Sequence, residues 1–384
     1  MSDPTIAVLE ALARRAPVSR AELAGSTGLS AATVGRTVGR LRRDGVVREY
    51  ALQASGVGRP PRVVELDDRA AFVIGIDAGG RTLRASIADL AGNLRRRVAR
   101  PVRDPGARDG LVDDVAALVA ELSADVRPGS VQAVVAGVSG IVDHDEGRVL
   151  LSPDLPGLDG LALARALRDR LDLPTGIDND DLLAAIGEAT SGAAIGCRDV
   201  VFLSLGYGLG AGLIVAGRPV RGASNAAGAI AFLSPGRLED RASGRAIPGR
   251  YRILAGRKDD GASIYDARSV FELAARGDEL AARVVADVTA DLGDLVVDVA
   301  ALLDPEVIVV GGGLAEAGAA LFAPLSERLA YALPYPPRLV PSALEDAAVL
   351  HGAVSVALAL ARRRLAGHSQ PSEPETRHPE LALL

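Results

Sequence analysis

Three glycine-containing turns each follow a continuous apolar segment of the kind that forms a buried strand. The apolar segments cover residues 72–76, 200–204 and 307–310. Glycine has no Cβ, so backbone N–H groups in such turns can approach a phosphate closely. A single Gly-Gly pair is more often only a turn, but three turns at strand ends favour anion binding. The candidate phosphate-binding residues are Asp77, Gly79, Gly80, Gly206, Gly208, Gly311 and Gly312.

A second group of polar residues has the types and spacing needed to contact DNA. In segment 31–43, Val34, Val38 and Leu41 recur at helical spacing and predict an apolar face. Hydroxyl and guanidinium groups on the other face can reach base edges and phosphates. The candidate DNA-binding residues of this helix are Ser30, Thr33, Arg36, Thr37 and Arg40.

The elements before this helix predict a helix-turn-helix. Residues 5–15 are rich in helix formers, and Pro17 ends that pattern. Ser19 and Glu22 have the spacing of a capping box, and the short helix that they begin stops at Gly28. Two short helices joined by a tight glycine turn, the second with a Thr/Arg face, are typical of DNA-binding domains.

Two apolar segments after the third helix predict a wing. Residues 46–50 and 62–66 read as strands, and a Gly-Arg-Pro loop at 58–60 lies between them. Arg59 in that loop is a candidate to enter a minor groove, where a narrow groove concentrates negative potential. The alternative is a three-helix packing unit whose arginine face is merely solvated.

The rest of the chain reads as a duplicated α/β unit with a cleft between two lobes. After the first apolar strand, Leu83, Ala85 and Ile87 alternate with other residues at strand spacing. A helix at 110–123 and a buried strand at 131–137 follow. A similar order of strand, glycine turn and strand recurs from residue 200, which indicates internal repetition.

Composition and charge exclude several classes of protein. The chain has 384 residues, 48% hydrophobic and 24% charged, which excludes disorder throughout. Its most apolar stretch, 295–310, contains three acidic residues and cannot span a membrane. Cys197 is the sole cysteine, so neither an internal disulfide nor a cysteine-rich zinc site can form. Without a signal peptide pattern at the N-terminus, these features predict a cytoplasmic protein.

The charge is unevenly distributed along the chain. Residues 1–65 carry ten arginines and six acidic residues, a net charge of +4. The remaining residues carry 33 basic and 43 acidic residues, a net charge of −10. A basic head on an acidic body favours an anionic partner for the head, although a difference of a few charges also arises by chance.

To about residue 365 the sequence resembles the ROK family (repressors, open reading frames and sugar kinases), in its xylose-repressor-like branch. The resemblance rests on SRAELAGSTGLSAATVGRTV, the Gly-Arg-Pro wing, IGIDAGGRTLRASIADLAG, IDNDDLLAAIGE, SLGYGLGAGLIVAG, GRLEDRASGR and VIVVGGGL. It implies a winged helix-turn-helix head and a two-lobed α/β actin-like (ribonuclease H-like) domain. In the family's kinases the cleft between the lobes binds a sugar and ATP.

The sequence departs from the kinase pattern at several positions. The first phosphate loop has Arg81 where the family has threonine, and the second has Tyr207. The family's Gly-Glu-Ile-Gly-His has become residues 228–232, Gly-Ala-Ile-Ala-Phe, without the glutamate and histidine. The family's cysteine-rich zinc motif is reduced to Gly-Arg-Leu at 236–238, so no zinc or other cofactor is expected.

Asp180 matches the family's catalytic base, and Asn179, Asp180 and Glu239 match residues that face the cleft. These three are the candidate effector-binding residues. Asp180 would be catalytic only in a kinase, where a carboxylate takes the proton of the sugar hydroxyl. Two simpler roles compete: Asn179-Asp180 could cap the helix beginning at Asp181, and Asp77 could merely hold its turn.

The predicted domains are a DNA-binding head at 1–68, a first lobe at 69–180, a second lobe at 181–366 whose last helix packs back on the first, and a flexible tail at 367–384. The predicted function is a transcriptional regulator, a repressor, that binds double-stranded DNA as a homodimer or homotetramer. Its lobes would sense a small molecule such as a sugar derivative. The alternatives are an active ATP-dependent sugar kinase with a DNA-binding head, and a DNA-binding protein whose lobes only oligomerise.

Overall fold

The computed structural model describes residues 3–52, 61–79, 82–102, 110–233, 238–256 and 266–367. Some sequence predictions lie outside these residues: those on Arg59, Gly80, Arg81, segment 236–237 and the tail from residue 368. Within the described residues the chain divides into two compact units. The first draws on the described residues within segments 3–138, 144–177 and 353–367, and the second on those within segments 139–143 and 178–352.

The head belongs to the first unit and forms a winged helix-turn-helix. Its elements are α1 (Pro4–Arg14), α2 (Arg20–Thr27), α3 (Ala31–Arg43), β1 (Val47–Ala51) and β2 (Arg62–Leu66). The capping box of Ser19 and Glu22 is present, and Gly28 ends α2 in the left-handed conformation at φ 67°. Ser30 caps α3, and β1 pairs with β2 in antiparallel register. The predicted helix boundaries and the pairing of the two wing strands are confirmed.

The first lobe is built on a five-stranded sheet in the order β5-β4-β3-β6-β9. Its elements are β3 (Phe72–Gly79), β4 (Thr82–Asp89), β5 (Leu94–Pro101), α4 (Gly110–Ser123), β6 (Val131–Val138), β8 (Arg148–Leu151), α5 (Leu163–Leu171) and β9 (Thr175–Asn179), with β7 (Ile141–Asp143) preceding β8 in the chain. β3, β4 and β5 form an antiparallel meander, and β6 lies parallel to β3. β3 is buried along nearly its whole length, as its continuous apolar run requires.

The second unit repeats this plan in a sheet ordered β12-β11-β10-β13-β14. Its strands are β10 (Val200–Leu205), β11 (Leu209–Val215), β12 (Arg218–Pro219), β13 (Val307–Gly311) and β14 (Arg338–Pro341). Its helices are α6 (Asp180–Ser191), α7 (Glu239–Ala242), α8 (Ala246–Leu254), α9 (Ala267–Ala275), α10 (Glu279–Leu303) and α11 (Ala319–Ala332). As in the first sheet, three antiparallel strands adjoin a parallel pair, which confirms the predicted duplication.

The last helix, α12 (Ala348–Leu365), begins in the second unit and continues into the first. In the second unit it packs on α6 through two glycines. A Cβ built on Gly187 would lie 2.2 Å from the Ala348 carbonyl oxygen, and one on Gly352 would lie 1.8 Å from that of Leu183. Glycine at both positions therefore lets the two helix backbones touch. In the first unit, Arg364 donates to the carbonyl oxygen of Gln132 at 3.2 Å.

Ion pairs within the first unit connect the wing to the turn between β4 and β5. Asp89 is 1% exposed and accepts hydrogen bonds from the guanidinium of Arg95 at 3.0 and 2.6 Å. Arg95 also contacts Asp68, which follows the wing, at 3.2 Å. Arg48 of β1 lies 3.8 Å from the same Asp68. The head is therefore joined to the first lobe by a chain of alternating charges.

None of the described helices is both long enough and apolar enough to cross a membrane.

Candidate functional site

The exposed side of α3 carries three of the predicted DNA-binding residues. Ser30 and Thr33 lie at its N-terminus with their hydroxyl oxygens 2.9 Å apart. Arg36 is exposed and donates from its guanidinium to the Thr33 hydroxyl at 3.3 Å. These contacts hold a donor-rich group of side chains at the start of the helix, where a recognition helix meets base edges.

Thr37 does not face away from the apolar side as its spacing predicted, and that expectation is wrong. It is 8% exposed, because it lies three residues after Val34 and four before Leu41 and so shares their buried face. Arg40 is half-buried, and its guanidinium hydrogen-bonds the hydroxyl of Thr5 in α1. Both residues stabilise the packing of α3 inside the head.

Arg43 is not among the predicted residues, yet it is exposed and lies seven residues after Arg36. Residues seven apart lie on nearly the same helix face, so the spacing itself could have identified it. Gly39 lies between them, and a Cβ built there would be 3.8 Å from the Arg43 guanidinium. The exposed face of α3 is therefore centred on Arg36 and Arg43.

In the first lobe, Asp77 holds the turn at the end of β3. Its Oδ1 accepts from the Gly79 N–H at 3.0 Å, and its Oδ2 accepts from Arg84 at 3.1 Å. The side chain is almost fully buried, and this burial raises the pKa of Asp77 although the Arg84 guanidinium opposes the shift. These contacts therefore support the simpler alternative, in which Asp77 holds its turn.

In the second unit, Asn179 caps α6 and positions Asp180 as its first residue. The Asn179 Oδ1 accepts from the Leu182 N–H at 2.9 Å, and its amide donates to the Gly140 carbonyl oxygen at 2.8 Å. The same amide donates to Oδ1 of Asp180 at 3.2 Å, and the Asp181 N–H donates to that oxygen at 3.0 Å. Asp180 is half-buried, so its carboxylate is held in place near the surface.

The glycine turn after β10 is packed against Glu239, the first residue of α7. A Cβ built on Gly208 would lie 2.8 Å from Oε1 of Glu239, so glycine leaves room for the carboxylate. Arg245 lies 3.5 Å from the other carboxylate oxygen and 5.8 Å from the centre of the Tyr207 ring. A guanidinium at this distance is attracted by the ring. Glu239, Arg245 and Tyr207 therefore form one polar group beside the turn.

The turns after β10 and β13 lie side by side within the second unit. Gly312 adopts φ +82°, and a Cβ there would lie 2.6 Å from the carbonyl carbon and oxygen of Leu205. A Cβ on Gly206 would lie 3.9 Å from the Gly312 Cα. A Cβ on Gly311 would overlap the Phe202 ring at 2.5 Å. The predicted loop residues Gly206, Gly208, Gly311 and Gly312 thus meet at one edge of the second sheet.

Two close contacts fix the part of the second unit that contains segment 228–232 and the residues just before it. Gly228 has φ +86°, and a Cβ there would lie 1.9 Å from the Ala211 carbonyl oxygen. Arg221 pairs with Asp178, which is 1% exposed and precedes the Asn179 cap, at 2.5 Å. Phe232 is 52% exposed. No sequence signal links Arg221 to Asp178, because they are 43 positions apart.

No group of three or more His, Cys, Asp or Glu side chains that could hold a metal ion occurs among the described residues. Segment 234–237, within the region that matches the family's zinc motif, lies outside them. The expectation that the protein holds no zinc stays a prediction.

Two family models match the chain. A model described as the ROK family matches residues 73–360. A model described as a winged helix-turn-helix DNA-binding family matches residues 1–48, which include the three head helices.

Similar proteins include a regulator and a kinase. The xylose repressor of Caldicellulosiruptor bescii is 24% identical over 376 residues, which are 91% of this chain and 94% of that protein. A ROK family transcriptional regulator, homologous to the E. coli MLC protein, has a TM-score of 0.80 at 22% identity and covers 95% of this chain and 96% of its own. A ROK family glucokinase from Streptomyces griseus, solved with glucose and AMPPNP, has a TM-score of 0.65 at 28% identity and covers 75% of this chain and 99% of its own.

These matches agree with the two sheets of the same order and with the winged helix-turn-helix that precedes them. They confirm the predicted architecture of a DNA-binding head followed by a two-lobed actin-like domain. Since the ROK model matches more than half of the residues, the chain belongs to the ROK family and carries a winged helix-turn-helix DNA-binding domain ahead of its ROK domain.

Proposed function

We propose that this protein is a DNA-binding transcriptional repressor whose ROK domain senses a small molecule. The observation that carries this proposal is a head of three helices and two paired wing strands with an exposed Arg36/Arg43 face on α3. Arginine is the side chain that most often reads guanine in the major groove, through two parallel hydrogen bonds. A relative whose match covers 91% of this chain is a xylose repressor.

The proposed effector site uses Asn179, Asp180 and Glu239 of the second unit. Asn179 and Asp180 are positioned by the α6 cap, and Glu239 is held against the Gly208 turn by Arg245. A few ordered polar groups on an otherwise apolar wall are typical of a small-molecule site. The exposed Phe232 makes the neighbouring wall more apolar than a glucose site would need, which favours a modified sugar or another partly apolar ligand.

We infer that the protein does not act as a sugar kinase. Segment 228–232 carries neither glutamate nor histidine, and Asp180 shares its Oδ1 between the Asn179 amide and the Asp181 N–H. The retained Asp180 is the observation that favours kinase activity, since a carboxylate there could take a proton from a sugar hydroxyl. An assay of ATP consumption with a panel of hexoses and N-acetylated hexosamines tests this. Turnover that disappears in Asp180→Asn would establish the kinase alternative.

DNA binding is tested with duplex fragments from the region upstream of the protein's own gene. We expect a retarded complex in a gel-shift assay, and Arg36→Ala should weaken it by about 1–3 kcal/mol if Arg36 contacts a guanine. Arg165→Ala is the matched control, since Arg165 is an exposed arginine of α5. Equal binding by the wild type and a folded Arg36→Ala variant would remove Arg36 from the recognition surface.

Effector sensing is tested by a thermal-shift screen of sugars and sugar phosphates, because a ligand that binds the folded state raises its melting temperature. A hit should change DNA affinity by roughly 5–150-fold, the usual range of allosteric coupling. Asp180→Asn and Glu239→Gln should reduce that response while DNA binding without the ligand stays intact. Asp294→Asn, an exposed change on α10, is the control. Normal responses in both site variants would favour the alternative in which the lobes only oligomerise.

The proposed assembly is a homodimer or homotetramer that presents two heads to a two-part operator. Half-sites recognised by paired helix-turn-helix domains lie about 10 bp apart or at multiples of that distance. Sedimentation of the protein with and without operator DNA tests this. A monomer that binds a single half-site with full affinity would contradict it.

A further inference from the structure

Three arginines of the head surround one carboxylate at the junction of the helices and the wing. Arg20 at the start of α2 donates to Glu49 of β1 through Nε and Nη2, at 2.9 and 2.8 Å. Arg42 of α3 contacts the same carboxylate at 3.2 Å, and Arg62 of β2 at 3.9 Å. Four separate elements of the head thus contribute to one group of side chains, called here the Glu49 cluster.

The carboxylate of the Glu49 cluster is buried, whereas its three guanidinium groups are exposed. The Glu49 side chain is 5% exposed, whereas those of Arg20, Arg42 and Arg62 are 40%, 52% and 51% exposed. The four residues line an open depression of about 450 Å³. The carboxylate therefore lies beneath a surface formed by guanidinium groups.

The charges of the Glu49 cluster do not balance. Three guanidinium groups and one carboxylate leave a net charge of +2 at the surface. Among the described residues, Glu49 is the carboxylate that each of the three arginines contacts. The sequence of the wing loop, residues 53–60, adds no acidic residue. Such a local excess of positive charge attracts anions from solution.

The position of the cluster relative to α3 identifies the kind of anion. A Cβ built on Gly35 of α3 would lie 3.8 Å from the Arg20 guanidinium, so Arg20 lies beside the recognition helix. Arg42 is seven residues after Gly35 and so lies on the same side of α3. Arg62 extends the positive surface onto the wing. When a recognition helix enters the major groove, side chains beside the helix and on the wing lie close to the phosphates that flank the groove.

We propose that the Glu49 cluster is a binding site for a phosphate of the DNA backbone. This inference rests on the proposed function and extends it from base recognition to the fixing of the head on the duplex. Glu49 orients Arg20 through a two-point contact, so the guanidinium groups are already placed before DNA arrives. Arg42 and Arg62 have the largest exposed fractions, and they would donate to the phosphate oxygens.

The salt dependence of binding to a mixed-sequence DNA duplex tests the proposal. Each phosphate contact adds about 0.9 to the slope of log affinity against log salt concentration. Arg42→Ala and Arg62→Ala should each lower that slope by about 0.9 and weaken binding about eightfold at 0.1 M salt. The same loss should occur with operator and non-operator DNA, because a phosphate contact carries no sequence information.

Two controls separate charge from folding. Arg14→Ala removes one charge from the same head at an arginine of α1 that is 78% exposed, and should leave the slope unchanged. Arg42→Lys keeps the charge and should retain the slope. If the wild type binds DNA but Arg42→Ala and Arg62→Ala leave the slope unchanged, the phosphate-site proposal is overturned and the proposed function is not. If the wild type binds no duplex even at low salt, the proposed function fails instead.

A free phosphorylated ligand could bind the Glu49 cluster in place of a DNA phosphate. Inorganic phosphate is the probe that distinguishes these two ligands. We expect millimolar phosphate to raise the melting temperature of wild type and Arg42→Ala equally, because the site needs a DNA strand laid across it. A rise in the wild type that Arg42→Ala abolishes, together with an unchanged DNA salt slope, would assign the cluster to a free phosphorylated ligand and contradict the proposal.

Discussion

At the scale of single residues, Asp77 shows how burial and function compete at one carboxylate. Its location near the end of β3 matched a phosphate loop, yet both of its oxygens are engaged within the first lobe, by Gly79 and Arg84. A carboxylate placed to hold a turn stabilises the loop geometry whether or not a nucleotide binds. Asp77 therefore cannot be used by itself as evidence of kinase activity.

The raised pKa of Asp77 predicts a pH dependence of stability. A carboxyl group with a raised pKa in the folded state binds a proton more tightly there than in the unfolded chain. Its contribution to stability must therefore fall as the pH rises above its ordinary value of 3.8. In urea titrations between pH 4 and 8, the stability of Asp77→Asn relative to wild type should increase with pH. A difference that stays constant with pH would contradict the assigned burial effect.

The pair of Arg221 and Asp178 makes a second prediction at this scale. Removing one partner of a buried ion pair leaves an uncompensated charge, which typically costs about 3–5 kcal/mol. Asp178 is 1% exposed, so Arg221→Ala should lower the free energy of unfolding by about 3 kcal/mol. The double variant Asp178→Asn/Arg221→Ala should lose less than Arg221→Ala alone, as measured by urea unfolding. Equal losses would mean that the pair is not coupled.

At the scale of elements, turns and helix boundaries were the most predictable features. The start of α2 is predicted by the capping box of Ser19 and Glu22, and its end by Gly28, which adopts the left-handed conformation. The structure confirms both ends. The alternation around Leu83 and the apolar run at 72–76 likewise identify β4 and β3. Such signals are local in sequence, and they need no knowledge of the tertiary contacts.

Features that depend on tertiary contacts could not be predicted. Thr37 is different, because its spacing of three residues from Val34 and four from Leu41 already places it on the buried face. The contacts of Glu49 with Arg20 and Arg62 join residues that are 29 and 13 positions apart, and no periodic pattern connects them. The Glu239, Arg245 and Tyr207 group depends in the same way on how α7 meets the turn after β10.

The turn after β13 offers a matched test of why glycine occurs there. Gly312→Ala would place a Cβ 2.6 Å from the Leu205 carbonyl in a backbone with φ +82°. We expect the midpoint of urea unfolding to fall by the equivalent of about 2 kcal/mol or more. Gly313→Ala, whose Cβ would meet nothing within 4 Å, should change stability by less than about 0.5 kcal/mol. Equal effects of the two changes would refute the close approach of the two turns.

At the scale of the whole molecule, the head is connected to the first lobe by charged contacts as well as by the chain. Arg95 contacts both the buried Asp89 of the first lobe and Asp68, which follows the wing. Arg95→Ala should therefore loosen the attachment of the wing to the first lobe. Hydrogen exchange should become faster in β2 and in the turn between β4 and β5. Arg165→Ala, which alters an exposed pair in α5, should leave exchange there unchanged. Identical exchange in both variants would show that these ion pairs do not fix the head.

Selection of genomic DNA fragments by the whole chain is the sharpest test of whether this protein recognises an operator. The protein is mixed with sheared DNA from its own organism at moderate salt, and the bound fragments are sequenced. We expect enrichment of a few sites with two similar half-sites, and loss of that enrichment with Arg36→Ala but not with Arg165→Ala. A wild-type protein that enriches no sequence, while it phosphorylates a sugar with ATP in the same preparation, would contradict it.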